Sequence, residues 1–525
     1  MRALRVFGRL AVAAAPTGQV GYHGTRTDVY QAKGEGMGLF DGISARAVAG
    51  FACQQGFLYA LFYLGSNRAV EVAGAPIERI DLLLTFVFMA VAFAAVRVAS
   101  SRARSALLAP TLVGWYAVLL VIGSLLVTLP LNAGIAEVAA EGALVGLPSG
   151  FLLCAWGRAL VECPRFGGSR EVLLATALGA AAGLALSAIP VPGLVEVLKL
   201  LPIGSAWALR SLTPQAEPAA PREDGAERPL SIATLLASSE ERAAAARLSI
   251  RVVAGCALFG LAGGFMEVFS SEPGMAATPT FPVTLLILIL FCFAAAQLLA
   301  TMGFGEREGA DADGGSLAGV YRLALLLTMA GYLFVPVLGA FGVTGQSIVL
   351  AGYLGLTCVL MTMFLAIARA SGKDAAVSFA RGFFALYAGE VVGIALGNAI
   401  ELVQPGAAQP YAVAACAGLA SLFAYLFLFT ERDYIELTAI AGGIDAFDEA
   451  CRRIAEDAAL SKREAEVLPL ALRGRTAERI AGELCIAKST ADTHLRRIYS
   501  KAGVHSRQEL IDLGERIQDE VRRGR

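Results

Sequence analysis

Histidine is scarce in this chain of 525 residues: there are three, His23, His494 and His505, and none sits inside an apolar run. That argues against a histidine proton relay in a membrane and against a zinc site. The nine cysteines are an odd number without a CxxC pair, scattered singly at positions such as Cys53, Cys154, Cys256, Cys292, Cys358 and Cys416. They read as small buried hydrophobes, not as a disulfide framework or a metal site. Charge is also in short supply, at 17% of residues against 56% hydrophobic, far from a soluble average. Since no phosphate-cradling glycine loop, nucleophile elbow or paired-carboxylate arrangement stands out either, no enzyme, cofactor or metal is expected.

The charge that is present is unevenly placed, sparse up to about residue 430 and dense afterwards. Most of the chain is therefore expected in a lipid bilayer, followed by a polar C-terminal part. Apolar runs of a length near that needed to cross a bilayer lie at about 44 to 65, 80 to 99, 107 to 129, 138 to 160, 171 to 189, 191 to 210, 248 to 268, 281 to 302, 317 to 340, 347 to 369, 379 to 402 and 410 to 430. These are twelve candidate spans, the fifth and sixth barely separated by Pro190 and Pro192.

Alternate connections carry the arginines and lysines, among them Arg97, Arg102, Arg104, Arg158, Arg307, Arg369 and Arg381. By the positive-inside bias these face the cytoplasm. The other connections lack Lys and Arg except the first, with Arg68 and Arg79. Both termini are thus expected in the cytoplasm, and the protein in the inner membrane. Arg2, Arg5 and Arg9 followed by LAVAAA hint at a signal peptide whose core is too short for cleavage, and MGLFDGISARAVAGF from Met37 offers an alternative start before span one.

The connection SLTPQAEPAAPREDGAERPLSIATLLASSEERAAAAR, rich in Pro, Ala and charge, reads as a flexible linker that divides the spans six and six. The expected organisation is a lead (1–43), a first half (44–210), this linker (211–247), a second half (248–430), a juxtamembrane linker helix (431–459) and a C-terminal domain (460–525). In topology the membrane part resembles the major facilitator fold, which implies two six-helix halves with substrate between them. The signature such transporters carry between spans two and three is replaced here by RVASSRARS.

Polar groups inside spans mark candidate ligand positions. Glu390 lies in GEVVGIALGN, whose glycines at 389, 393 and 397 permit close helix contact. It reads either as a ligand- or proton-sensing group with Asn398 two turns away, or as a buried group bonded to a neighbouring helix. Gln54 and Tyr59 in span one give a polar and aromatic stripe, to which Trp115 adds an aromatic wall or an interface anchor. Gly142 to Gly146 and Gly260 to Gly264 are read as packing motifs.

After the spans, Gly442 and Gly443 offer a hinge and a charged helical stretch follows from about Ile444. From Leu460 the pattern becomes four short helices. Ser461 with Glu464 forms a capping box, Gly474 ends the first helix, Thr476 caps a second, Gly503 closes a third, and Ser506 with Glu509 opens a fourth. Two helices joined by a tight turn, the second basic, make a helix-turn-helix. Lys488, Arg496, Arg497, Lys501 and Arg507 set five cations against Asp492 alone, a balance suited to phosphate and counterion release.

The stretch LSKREAEVLPLALRGRTAERIAGELCIAKSTADTHLRRIYSKAGVHSRQELI resembles the DNA-binding domain of LuxR-type transcription regulators, matching RE..VL, G, IA..L, T...H, I..K, GV.SR and EL in register. The resemblance implies that Lys488 to Ala502 contains the recognition helix and that the helix from Ser506 supports a homodimer on double-stranded DNA. It places Asp492, Thr493 and Arg496 at base edges, while Lys488, Arg497, Lys501 and Arg507 fall at phosphates. Arg496 can pair bidentately with guanine; Asp492 either accepts from cytosine or interacts with Arg496. Ala487 in place of the usual Ser deprives the recognition helix of its cap, and Pro469 interrupts the first helix.

The expectation is an all-α chain: a polytopic bundle of about twelve spans, 6+6, with a C-terminal four-helix LuxR-type domain. It is read as a membrane-tethered one-component regulator that senses an unknown small molecule through the bundle. The alternative is a secondary transporter with a regulatory DNA-binding tail.

Overall fold

A computed structural model of the chain describes residues 44–64, 70–72, 75–128, 134–161, 169–189, 197–212, 239–269, 281–302, 312–334, 345–371, 374–403, 410–428, 446–484 and 486–523. The chain divides into two units, Met1–Asp41 and Gly42–Arg525. The lead over 1–43, including Met37, and most of the 211–247 linker lie outside the described residues.

Each of the twelve apolar runs overlaps a described helix, as long stretches of Leu, Ala, Val and Phe pair their backbone within the helix in hydrocarbon. In order they are α1 (Ala45–Leu64), α2 (Ile80–Val98), the pair α3 (Ser101–Leu107) and α4 (Pro110–Thr128), α5 (Ile135–Val161), α6 (Ser169–Ser187), α7 (Leu200–Leu212), α8 (Ser239–Phe269), α9 (Phe281–Met302), α10 (Ala312–Phe334), α11 (Gly345–Ser371), α12 (Ala375–Val403) and α13 (Pro410–Phe423), which runs on into a π-helical turn, Ala424–Leu428. Between α1 and α2 stands a short antiparallel hairpin, β1 (Val70–Val72) with β2 (Ala75–Ile77). Among the described residues seven helices are long and apolar enough to cross a membrane, and α3 with α4, bent by 49°, makes an eighth. The sixth run yields a helix of only 13 residues.

Two glycine seams bring helix backbones into close contact. On α5, a Cβ at Gly146 would lie 2.4 Å from the Thr85 carbonyl oxygen of α2. Where α8 meets α12, the seam is reciprocal: a Cβ at Gly264 would lie 2.1 Å from the Glu390 carbonyl oxygen, and one at Gly389 would lie 2.2 Å from that of Ala257. The GxxxG spacing thus brings backbones together without a side chain between them. Phe93, Phe383 and Tyr387 stack where α2 meets α12, joining the expected halves.

Polar ties also link those halves at both ends of α2. At its C-terminal end Arg158 donates to both oxygens of Asp374, Arg104 approaches the same carboxylate at 3.6 Å, and Arg369 donates to the Val161 carbonyl at 2.5 Å. At its N-terminal end Arg79, in left-handed conformation (φ 55°), pairs with Glu267 at 3.1 Å. Arg79, an exception to the expected charge pattern, is therefore neutralised in place.

The C-terminal part corrects one expected boundary. Four helices carry the predicted caps: α15 (Lys462–Leu472), α16 (Ala477–Glu483), α17 (Lys488–Ala502) and α18 (Arg507–Arg523). The helix before them, α14 (446–457), is not the separate juxtamembrane linker that the sequence pattern predicts. Its Phe447, Cys451 and Ile454 are buried in one cluster with Val467, Leu468, Ile480, Leu495, Ile498 and Leu510. The stripe recurs at i, i+4 and i+7 on one helix face, and the Arg473 guanidinium lies 4.5 Å from the Phe447 ring centre. Five helices, not four, share this core.

Candidate nucleic-acid interface

Local signals place α17. Thr476 accepts from the Arg479 amide to start α16, and Gly503, at φ 68°, closes α17 in the left-handed conformation that glycine adopts without strain. The α17 N-cap is Ala487, without a side-chain cap bond, as its side chain dictates. The helix continues through buried Pro469 in α15.

On α17 the inward face is Ala491, Leu495 and Ile498, all buried. The outward face presents Lys488, Thr493, Arg496 and Arg497, all exposed, with Asp492 half-buried at its edge. Thr493 donates its hydroxyl to the Ser489 carbonyl at 2.8 Å, so that its methyl and lone pairs are what it offers outward. Among the described residues Lys488, Arg496 and Arg497 make no ion pair, and Asp492 does not pair with Arg496. Three arginines elsewhere in the domain are matched: Arg463 with Glu466, and Arg475 and Arg479 with Glu483.

Two predicted phosphate contacts sit differently. Arg507 is half-buried, its guanidinium against the Gly474 turn. Lys501 is engaged inside the domain: its ammonium donates to Glu464 Oε2 at 2.7 Å and to the Ala459 carbonyl at 3.2 Å. Glu464 in turn accepts from the Ser461 amide at 2.7 Å, completing the capping box. The Lys501 bond, followed by the Ser461 amide, brings the Glu464 carboxyl down to about 2. His494 is half-buried, with Nδ1 unpartnered.

The five ligand-pocket candidates of the spans lie on α1, α4 and α12. Gln54 is fully buried where α1, α5 and α7 meet; it accepts from Ser205 Oγ at 3.2 Å, and Ser205 accepts from Trp156 Nε1 at 2.9 Å. Tyr59 is buried one turn and a half further along α1. Asn398 clasps the turn before α2, accepting from the Glu78 amide at 2.7 Å and donating to the carbonyls of Glu78 and Ile394. Its amide is fully used as a structural tie. Trp115 is 64% exposed and points away from the bundle, so it walls no interior site. Glu390 is buried on the α12 face that meets α8. Sequence reasoning misses the arginine pair on Asp374, whose residues are separated in the chain by 216 positions for Arg158 and leave no local signal.

Residues 458–513 match the family of bacterial regulatory proteins described as the luxR family. An HTH-type transcriptional regulator MalT from Serratia proteamaculans (strain 568) is 41% identical over 58 residues, which are 11% of this chain and 6% of that regulator. The chain therefore spans only that small part of the curated relative. Among solved structures, an auto-inhibited POT family peptide transporter is similar with a TM-score of 0.43 at 13% identity, covering 72% of this chain and 95% of its own. The Major Facilitator Superfamily transporter FucP, in its outward conformation, is similar at 0.42 and 15%, covering 74% and 97%. Residues 458–513 are a LuxR-type helix-turn-helix domain, carried by a chain whose remaining described helices are largely those of a membrane-type bundle.

Proposed function

We propose that the protein is a membrane-tethered one-component transcription regulator, which senses a small molecule through its bundle and binds double-stranded DNA, as a homodimer, with α17 in the major groove. The observation that carries this reading is the outward face of α17: three cations without acidic partners beside Thr493, on a helix held by a complete apolar core. Arg496 suits a bidentate bond to guanine, Thr493 a thymine methyl, and Lys488 and Arg497 the backbone phosphates. The arginine-rich end of the bundle faces the cytoplasm of an inner membrane, and both termini lie there. The two halves, 44–210 and 248–430, provide a two-state element, since their ties at Asp374 and Glu267 can be made or broken, and a ligand acts by binding the two arrangements unequally. The test is binding of the full-length protein in lipid nanodiscs to duplex DNA. Affinity falls steeply with salt and is lost in a Thr493→Ala/Arg496→Ala variant if the reading holds; salt-insensitive binding, or equal binding by the variant, refutes it.

The same inter-half ties favour a second reading, a secondary transporter with a regulatory DNA-binding tail. Uptake by membrane vesicles that is abolished by Glu390→Gln supports it.

A further inference from the structure

Lys501 belongs by charge with the phosphate contacts of a recognition helix, but its surroundings give it different work. Its ammonium is held by two acceptors of the same domain, the carboxylate of Glu464 and the carbonyl of Ala459. Ala459 belongs to the connection between α14 and α15, and Glu464 to the first turn of α15. Ala459 sits at its apex with φ 46°, in a turn closed by bonds from the Ala459 amide to Glu456 and from the Leu460 amide to Ala455. Glu464 is the third residue of α15, its side chain 3% exposed, and also caps that helix. α14 in turn runs back alongside α15, since Phe447 meets Arg473 at the far end of α15 while Ile454 lies near the turn. The last turn of α17 is thus pinned to the hinge of an αα-hairpin whose first helix is, among the described residues, the one closest in sequence to the apolar helices of the bundle.

We infer that Lys501 is a positioning residue, not a phosphate ligand: it fixes the recognition helix to the α14–α15 hairpin, so that a displacement carried along the chain from the membrane reaches α17 as movement of one body. The inference rests on the DNA-binding reading of α17 and assigns the step by which the tether acts on it. A lysine in this place is well suited, because three ammonium protons can serve a carboxylate and a carbonyl that diverge. Were it a phosphate contact released from Glu464, that buried carboxylate would lose its counter-charge and keep only the Ser461 amide.

The experiment uses the full-length protein in lipid nanodiscs and a random-sequence 30-base-pair duplex. Affinity is measured across salt concentrations for the parent, Arg497→Ala, Lys501→Met, Lys501→Arg, Glu464→Gln and the Lys501→Met/Glu464→Gln double variant. Each phosphate contact contributes about 0.9 to the slope of log affinity against log salt, so Arg497→Ala lowers the slope by about that amount. Lys501→Met weakens binding about five- to tenfold at every salt concentration with the slope unchanged. Glu464→Gln weakens it equally, the double variant is no worse than either single one, and Lys501→Arg, which keeps the pair, is close to the parent. A slope lowered by Lys501→Met, or a Glu464→Gln variant that binds DNA as well as the parent, overturns the inference. Amide hydrogen exchange on the same samples separates this from failure of the DNA reading. Even with no DNA bound, Lys501→Met exposes the amides of Ala459 and Leu460 together with those of Gly503 and Val504, and exposure of the Gly503 and Val504 amides alone contradicts the tie.

Discussion

Glu464 and Ala459 are the residues whose chemistry is most directly measurable. The Glu464 carboxyl is held at about 2, below its usual 4.5, by Lys501 and the Ser461 amide. A carboxyl whose pKa is lower in the folded state stabilises that state fully above its unfolded value and loses the contribution as pH falls through the folded one. Stability of the 446–523 domain, followed by hydrogen exchange or denaturant, should therefore fall more steeply between pH 4.5 and 2 in the parent than in Glu464→Gln. Parallel profiles would contradict the pairing. Ala459 is a different case: a side chain in left-handed backbone is strained by about 1 kcal/mol. Ala459→Gly is expected to stabilise the turn by up to about that amount, seen as slower exchange of the Leu460 amide, and a faster rate would contradict it.

Among the elements, the glycine seams are legible in the chain's own spacing and the fifth helix of the C-terminal core is not. Small residues every fourth position in Gly260–Gly264 and Gly389–Gly393 state a helix contact in the sequence itself, and the two motifs meet each other. A methyl group at Gly264 cannot be accommodated 2.1 Å from a carbonyl oxygen. Gly264→Ala should therefore push α8 from α12 and lower the thermal midpoint of the bundle by several degrees, and an unchanged midpoint would show that the seam is looser than described. The caps at Ser461, Thr476 and Gly503 are equally readable, because each acts within four residues of itself. α14 escapes for the opposite reason: Phe447, Cys451 and Ile454 form an amphipathic stripe whose partner, Leu468 and its neighbours, is set only by the tertiary fold. Phe447→Ala should cost about 3–5 kcal/mol in stability of the whole five-helix domain. A loss confined to α14, with α17 exchange unchanged, would return that helix to the linker.

For the whole molecule, what the sequence conveys and what it withholds divide along the same line of range. Composition and arginine placement separate an apolar bundle from a polar C-terminal domain, and a dense motif gives that domain its type. Within the bundle, helices apolar on every side carry no record of which face meets lipid and which meets protein. For that reason Trp115, a candidate wall by its sequence, points outward, while Asn398, a candidate ligand contact, holds the turn at Glu78, 320 positions away. Asp374, which gathers Arg104 and Arg158, is the kind of long-range tie that only a folded chain reveals.

If the α17 face reads DNA, expression of the protein changes transcription through Thr493 and Arg496. The most direct measurement is the genome-wide transcript profile on expression of the intact protein, beside a Thr493→Ala/Arg496→Ala variant at matched membrane level. A small set of genes is expected to respond to the intact protein alone; identical profiles from the two proteins would rule out DNA reading by this face.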